Sequence, residues 1–218
     1  MSGVGGYRAV MFLPVHCVVC RTLGSTLCEL CAAQLVPAPE APPLPPLDRT
    51  VALFAYEGVG RTVVSRLKFD GHRDAVRPMG AMLAAAIDAP VDLVTWVPTS
   101  PARRRRRGYD QAELLARATA RSLGVPVRRT VRRQSGPAQT GQARAARLQA
   151  SFSPFGRPPH GVVAVVDDVR TTGASLVGVA RALRFCGARS VVGATLAATA
   201  GTTSGSASYS AIDPLQSG

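Results

Sequence analysis

Five consecutive apolar residues, Val162 to Val166 (VVAVV), run straight into two acids, Asp167 and Asp168. A uniformly apolar run of this length suits a parallel strand buried on both faces. The chain continues Val169-Arg170-Thr171-Thr172-Gly173-Ala174-Ser175. Ala174 to Phe185 then reads as a helix with Leu176, Val179, Ala180 and Leu183 inward, and Val191 to Leu196 as the next apolar strand. Strand, helix and strand within about 35 residues form a βαβ unit. The expected class is therefore α/β, a mostly parallel sheet flanked by helices.

Ligands of open α/β sheets bind at the carboxyl ends of the strands. Two adjacent acids there can accept hydrogen bonds from a vicinal diol. The backbone N–H groups of the following turn, with the hydroxyls of Thr171, Thr172 and Ser175, can surround a phosphate at the positive end of a helix dipole. Gly173 lets backbone approach closely. A diol reader beside a phosphate cradle describes a ribose 5-phosphate site. An ordinary turn with capping hydroxyls would account for Thr172 or Ser175. It would not account for two carboxylates directly after a buried strand, where an unpaired charge is costly.

The charge is concentrated. The 218 residues carry a net +13, and Lys68 is the only lysine among 26 basic residues. Residues 101–150 hold 13 arginines against Asp110 and Glu113, which is +11 of the excess. One basic segment, with the packed run Arg103 to Arg107, points to one surface that meets phosphate; solvated arginines are the plain alternative for single positions. A hydrophobic content of 46% excludes a mainly disordered chain. No apolar run approaches the ~18 residues of a membrane span. The short apolar patch Ala9 to Val15 lacks a cleavage site, so a cytoplasmic protein without membrane insertion is expected, and disulfides are not.

The cysteines then need another explanation. Cys17-x2-Cys20 and Cys28-x2-Cys31, seven residues apart, can present four thiolates to one structural Zn²⁺. A redox dithiol pair and incidental cysteines are the competing readings. Cys186 reads as a small buried side chain in the apolar helix. His16, His72 and His160 have no partners at metal or triad spacing. Residues 37–46 (PAPEAPPLPP) read as a semi-rigid spacer. The expected organisation is a cysteine module at 1–36, a linker at 37–48, a main domain at 49–200 and a disordered tail at 201–218. Further expected elements are strands at Val51–Tyr56 and Asp92–Val97 and helices at Gly60–Phe69, Met79–Ile87 and 109–123. An irregular strand is expected at 125–131, followed by a polar stretch at 134–150.

VVAVVDDVRTTGAS resembles the phosphoribosyl-pyrophosphate (PRPP) motif of type I phosphoribosyltransferases. With the CxxC…CxxC module, the FAYEGVGRTVVSRLKFDG stretch and VDLVTWVPTSPARRRRRGYDQAELLA, residues 12–198 resemble the ComF family of competence-associated, phosphoribosyltransferase-like proteins. The resemblance implies a PRPP-binding sheet with a mobile loop, preceded by a zinc-ribbon-like module. Asp167 and Asp168 would hold the ribose hydroxyls as catalytic residues. Thr171, Thr172, Gly173, Ala174 and Ser175 would hold the 5-phosphate, with Val169 and Arg170 also binding the substrate. The turn at Val97, Pro98, Thr99 and Ser100 would form the pyrophosphate loop. Arg107 and its neighbours would face pyrophosphate or a polyanion, Lys68 would contact pyrophosphate or end a surface helix, and Gln134 to Arg147 would be the mobile loop. Mg²⁺ would accompany PRPP. The chain departs from the family pattern at Tyr109-Asp110, where the family has aromatic-Asn, and lacks an evident Asn after Arg147.

Two functions follow from that resemblance. One is a phosphoribosyltransferase, a pentosyl-transferring glycosyltransferase, whose acceptor the sequence does not name. The other is a non-catalytic zinc- and PRPP-binding module that binds single-stranded DNA or a helicase partner in DNA uptake (natural competence) or recombination. The position of the arginine run separates them: beside the acids it serves PRPP, on an outer face it serves a polymer.

Overall fold

The computed structural model describes residues 15–69, 75–134, 152–157 and 159–200. The expected mobile loop beyond Gln134, His72, the amino-terminal patch before Val15 and the tail at 201–218 lie outside the described residues. In chain order the elements are α1 (Glu29–Ala32), β1 (Arg49–Ala55), α2 (Gly58–Phe69), α3 (Val76–Ile87), β2 (Leu93–Trp96) and α4 (Pro101–Arg107). There follow α5 (Gln111–Leu123), β3 (Val131–Arg133), β4 (Phe152–Pro154), β5 (Val162–Arg170), α6 (Ala174–Phe185) and β6 (Ser190–Ala198).

Strand β5 lies inside a four-stranded parallel sheet of order β1-β6-β5-β2. Its apolar run serves two cores, because successive side chains point to opposite faces. Ala164 and Val166 join the cluster built on α2, α3 and α5, while Val163 and Val165 join the one under α6 and the β3–β4 hairpin. All four are 0% exposed. The four expected inward residues of α6 are buried as well. No helix among the described residues is long and apolar enough to cross a membrane.

Several expectations change. Strand β5 runs on through both acids to Arg170, paired with β6 as far as Ala198. The arginine run is helical: Pro101 opens α4, the Ser100 hydroxyl accepts from the Arg103 N–H, and Gly108 closes it at φ 76°. Arginine is a good helix former, so nothing in the run opposes this. The irregular strand resolves into a parallel bridge of Val127 to Val94, then β3. Cys186 is the C-cap of α6 and half-buried, not a core residue.

The proline-rich segment is a strap and not a spacer. Ala55 N–H donates to Val36 O, Arg170 Nη2 to Pro39 O at 3.2 Å, and Arg184 Nε to Pro46 O at 3.3 Å. Arg184 Nη2 also lies 2.6 Å from both carboxylate oxygens of Asp48, which accepts from Val191 N–H as well. The cysteine segment is likewise not held apart: Val18, 1% exposed, sits in the same core cluster as Phe54 and Val63.

Helices α3 and α5 approach closely at Gly80. A Cβ there would lie 2.8 Å from the backbone carbon of Ala118 and the nitrogen of Thr119. Gly80→Ala is expected to destabilise the fold by about 1–3 kcal/mol through overpacking, read as a lower urea midpoint at unchanged m-value.

Candidate functional site

A cavity of about 360 Å³ opens at the carboxyl ends of β2 and β5. Several elements build its walls. Strand β5 supplies Asp167, Asp168 and Val169; the turn into α6 supplies Thr171 and Ser175; the turn after β2 supplies Val97, Pro98 and Thr99; and α2 supplies Lys68. Parallel pairing fixes the acids in place, since Asp167 stands opposite Thr195 of β6.

A lysine meets the acid pair. Lys68 Nζ lies 3.0 Å from Asp168 Oδ2, both side chains 17% exposed. Tyr109 donates through its hydroxyl to Leu67 O at 2.9 Å, which pins the end of α2 that carries the lysine. Asp167 Oδ1 accepts the Asp168 N–H at 2.8 Å. Burial, reinforced by the neighbouring Asp168, pushes the Asp167 carboxyl well above its usual range, against that N–H and Lys68.

Helix α4 divides its arginines. Arg103 and Arg107, one turn apart, line the cavity, whereas Arg104, Arg105 and Arg106 are exposed and lie outside its lining. Arg133 of β3 also lines it, with its guanidinium 5.2 Å from the Phe152 ring centroid. Burial, with Arg103 nearby, lowers the Arg133 pKa, while Asp167 opposes the shift. Asp110, Gln111 and Tyr56 complete the wall. Sequence reasoning missed Arg133, Asp110, Gln111 and Tyr56 as site residues. Only the basic segment around Arg133 and the helix start at Gln111 offered any signal.

The remaining expected residues sit elsewhere. Ser100 caps α4. Thr172 Oγ1 accepts from Ala174 N–H at 3.4 Å, and Ala174 begins α6. Gly173, at φ +75°, has Leu44 of the strap over it: a Cβ there would meet Leu44 Cδ1 at 2.6 Å. Arg170 is corrected as a ligand contact. Its side chain, 4% exposed, is turned to the strap carbonyl of Pro39 and away from the cavity lining.

The second cluster is sulfur. The Sγ atoms of Cys17, Cys20, Cys28 and Cys31 all lie within 4.8 Å of one another. Arg21 adopts φ 69° and Gly24 φ 120° in the turn that brings the two pairs together. Val19 N–H and Cys28 N–H point at Cys17 Sγ from 3.4 and 3.5 Å. Burial would raise the Cys17 thiol, but the backbone N–H groups of Cys28, Cys20 and Val19 outweigh it and bring it down to about 6. Burial and the neighbouring sulfurs push Cys31 up to about 12. Four thiols in this arrangement can hold one metal ion.

Two outcomes follow. A carboxyl whose folded pKa is raised favours the folded state when protonated, so its stability contribution is present at acidic pH and lost as pH rises through that pKa. Asp167→Asn is therefore expected to raise the melting temperature by about 2–4 °C near neutral pH, with the gain shrinking toward about pH 4. For the sulfur cluster, elemental analysis is expected to find one metal ion per chain. Cys31→Ser should abolish that stoichiometry, and both the substitution and strong chelation should lower the melting temperature.

No family model matches the chain. It is 31% identical over 157 residues to Competence protein F of Haemophilus influenzae, a match covering 67% of this chain and 65% of that protein. Among solved structures it is similar to the allosteric regulatory enzyme of purine biosynthesis, at 21% identity and a TM-score of 0.43 over 61% of this chain and 30% of that one. It is also similar to glutamine PRPP amidotransferase from B. subtilis, at 23% identity and a TM-score of 0.44, over 59% of this chain and 30% of that one. Orotate phosphoribosyltransferase from Aeropyrum pernix gives 19% identity and a TM-score of 0.37, over 63% of this chain and 76% of that one. With its clustered CxxC pairs and its acid pair at the end of a parallel strand, and as a sequence relative of Competence protein F, the chain belongs to the ComF family.

Proposed function

We propose that the cavity binds PRPP and that the chain transfers its phosphoribosyl group to an acceptor, with a structural zinc ion in the sulfur cluster. The observation that carries this reading is the shared cavity wall of Asp167, Asp168, Thr171 and Ser175. The acids accept hydrogen bonds from the ribose hydroxyls. Thr171, Ser175 and the backbone N–H groups at the start of α6 hold the 5-phosphate, where the helix dipole favours an anion. Thr99, Lys68, Arg103 and Arg107 surround the pyrophosphate, and their charge opposes the charge that develops as it leaves. Asp168 pairs with Lys68 and Asp167 lies beside it, an arrangement that suits a diol accompanied by a divalent cation. Mg²⁺ bound with PRPP supplies further neutralisation of the leaving group. Soft thiolate donors, four in number, suit Zn²⁺ in the sulfur cluster.

A second reading has its own observation. Arg104, Arg105 and Arg106 are exposed and outside the cavity lining, more positive charge than one small ligand requires. The relative's name, Competence protein F, supports a role in DNA uptake. In this reading the outer face of α4 meets single-stranded DNA through phosphate contacts, and the aromatic content of 5% gives little stacking surface.

Calorimetry on one metal-loaded sample tests both readings. PRPP with Mg²⁺ is expected to bind, and the double replacement Asp167→Asn, Asp168→Asn should weaken it by about tenfold or more. Replacing Arg103 and Arg107 with Ala should weaken PRPP. Replacing Arg104, Arg105 and Arg106 should spare PRPP, weaken single-stranded DNA and reduce the salt slope by about 2. Absence of any PRPP heat would sink the first reading, and salt-independent DNA binding the second.

A further inference from the structure

Two adjacent cavity residues have hydrogen-bonding capacity that the protein leaves unused. Asp110 stands at the N-cap of α5, where the Glu113 and Ala112 N–H groups favour its charged form but no side-chain cap bond closes. Its Oδ2 accepts from Thr99 N–H at 3.0 Å, and its Oδ1 is buried with no partner among the described residues. Gln111, the first residue of α5, is 3% exposed, and neither its Oε1 nor its Nε2 has a partner among the described residues. Asp110 is 6% exposed. Both residues line the cavity.

Buried polar atoms are almost always paired, because each unpaired one forfeits its hydration. Two neighbouring side chains that break this rule on a cavity wall are arranged for something that enters the cavity. Their atoms describe its chemistry. Oδ1 and Oε1 are acceptors, and only the Nε2 group donates. Arg103, Arg107, Arg133 and Lys68 of the same wall offer only donors, so Asp110 and Gln111 add acceptors that those cations do not.

We propose that Asp110 and Gln111 form a subsite for a hydrogen-bond-donating group of the ligand. This deepens the PRPP reading and rests on it. Two sources carry that chemistry: an N–H group on the phosphoribosyl acceptor, or the water shell of the divalent cation that travels with pyrophosphate. Under the first source the acceptor is a nitrogen compound. Its N–H is held by Oδ1 and Oε1, while Nε2 donates to a ring nitrogen or carbonyl beside it.

The test uses the full, metal-loaded chain with Asp110→Asn and Gln111→Leu. An Asn amide oxygen can still take the Thr99 N–H, which turns an NH₂ donor toward the subsite and reverses its polarity. Leu keeps the volume of Gln111 and removes the orphaned amide, so the ligand-free Gln111→Leu protein is expected to melt about 2–4 °C higher. A lower melting temperature would mean that the amide is structural and would overturn the proposal, whether or not PRPP binds. Calorimetry with PRPP and Mg²⁺, and separately with adenine on protein loaded with pyrophosphate and Mg²⁺, distinguishes the sources. Loss of about tenfold in PRPP affinity in Asp110→Asn assigns the cation's water shell; a similar loss confined to adenine assigns an N–H acceptor. Affinities for both probes within about twofold of the parent in both variants would overturn the subsite. A parent chain that binds no PRPP would overturn the transferase reading alone, and the Gln111→Leu melting shift would still decide the subsite.

Discussion

An acid pair at the end of strand β5 faces a cavity wall of cations, and the rest of the site is arranged around that opposition of charge. Asp168 has Lys68 at 3.0 Å. Asp167 accepts a backbone N–H and has Arg133 in its field, and its carboxyl is pushed up by burial and by its neighbour. Two adjacent desolvated acids are unfavourable in the free protein. They persist because β5 stays paired with β6 through the acids to Arg170. Such local cost, over-determined by the surrounding fold, is what a ligand site looks like before the ligand arrives.

The strap joins the site to the amino-terminal segment by contacts. Leu44 lies over Gly173 in the turn that carries Thr171 and Ser175. Arg170, three residues beyond Asp167 on the same strand, holds the Pro39 carbonyl. The cysteine segment before the strap contributes Val18 to the core under α2 and α3. The sulfur cluster, the strap and the turn into α6 are therefore successive parts of one packed surface. A short segment with little core of its own gains from this docking, and a metal ion in the sulfur cluster would add to it.

Those long-range contacts are what the sequence could not express. The buried strand, the acids and the helix after them were legible because each is a local pattern: five apolar residues, a charge step and a 3.6-residue period. The direction of Arg170 was not, because its partner is 131 positions away. Proline composition suggested an extended segment, but composition carries no information about what such a segment lies on. Arg133 and Gln111 were hidden for the same reason. Their meaning comes from Phe152 and from the cavity, both set by tertiary packing.

The arginine run shows how angular position decides what composition leaves open. Counted as charge, five arginines favour a polymer over one small ligand. Folded into α4, they step around an axis, so Arg103 and Arg107 share a face, Arg104 and Arg106 flank it and Arg105 lies opposite. Arg103 and Arg107 meet the cavity, and the others meet solvent. Four of the five occupy the last turn, where the negative end of the helix dipole offsets part of their mutual repulsion. The Ser100 cap, Pro101 and the left-handed Gly108 fix both ends of the helix. The start at Ser100 and Pro101 sets the phase of every arginine after it, so angular position as well as number decides which of them reach the cavity.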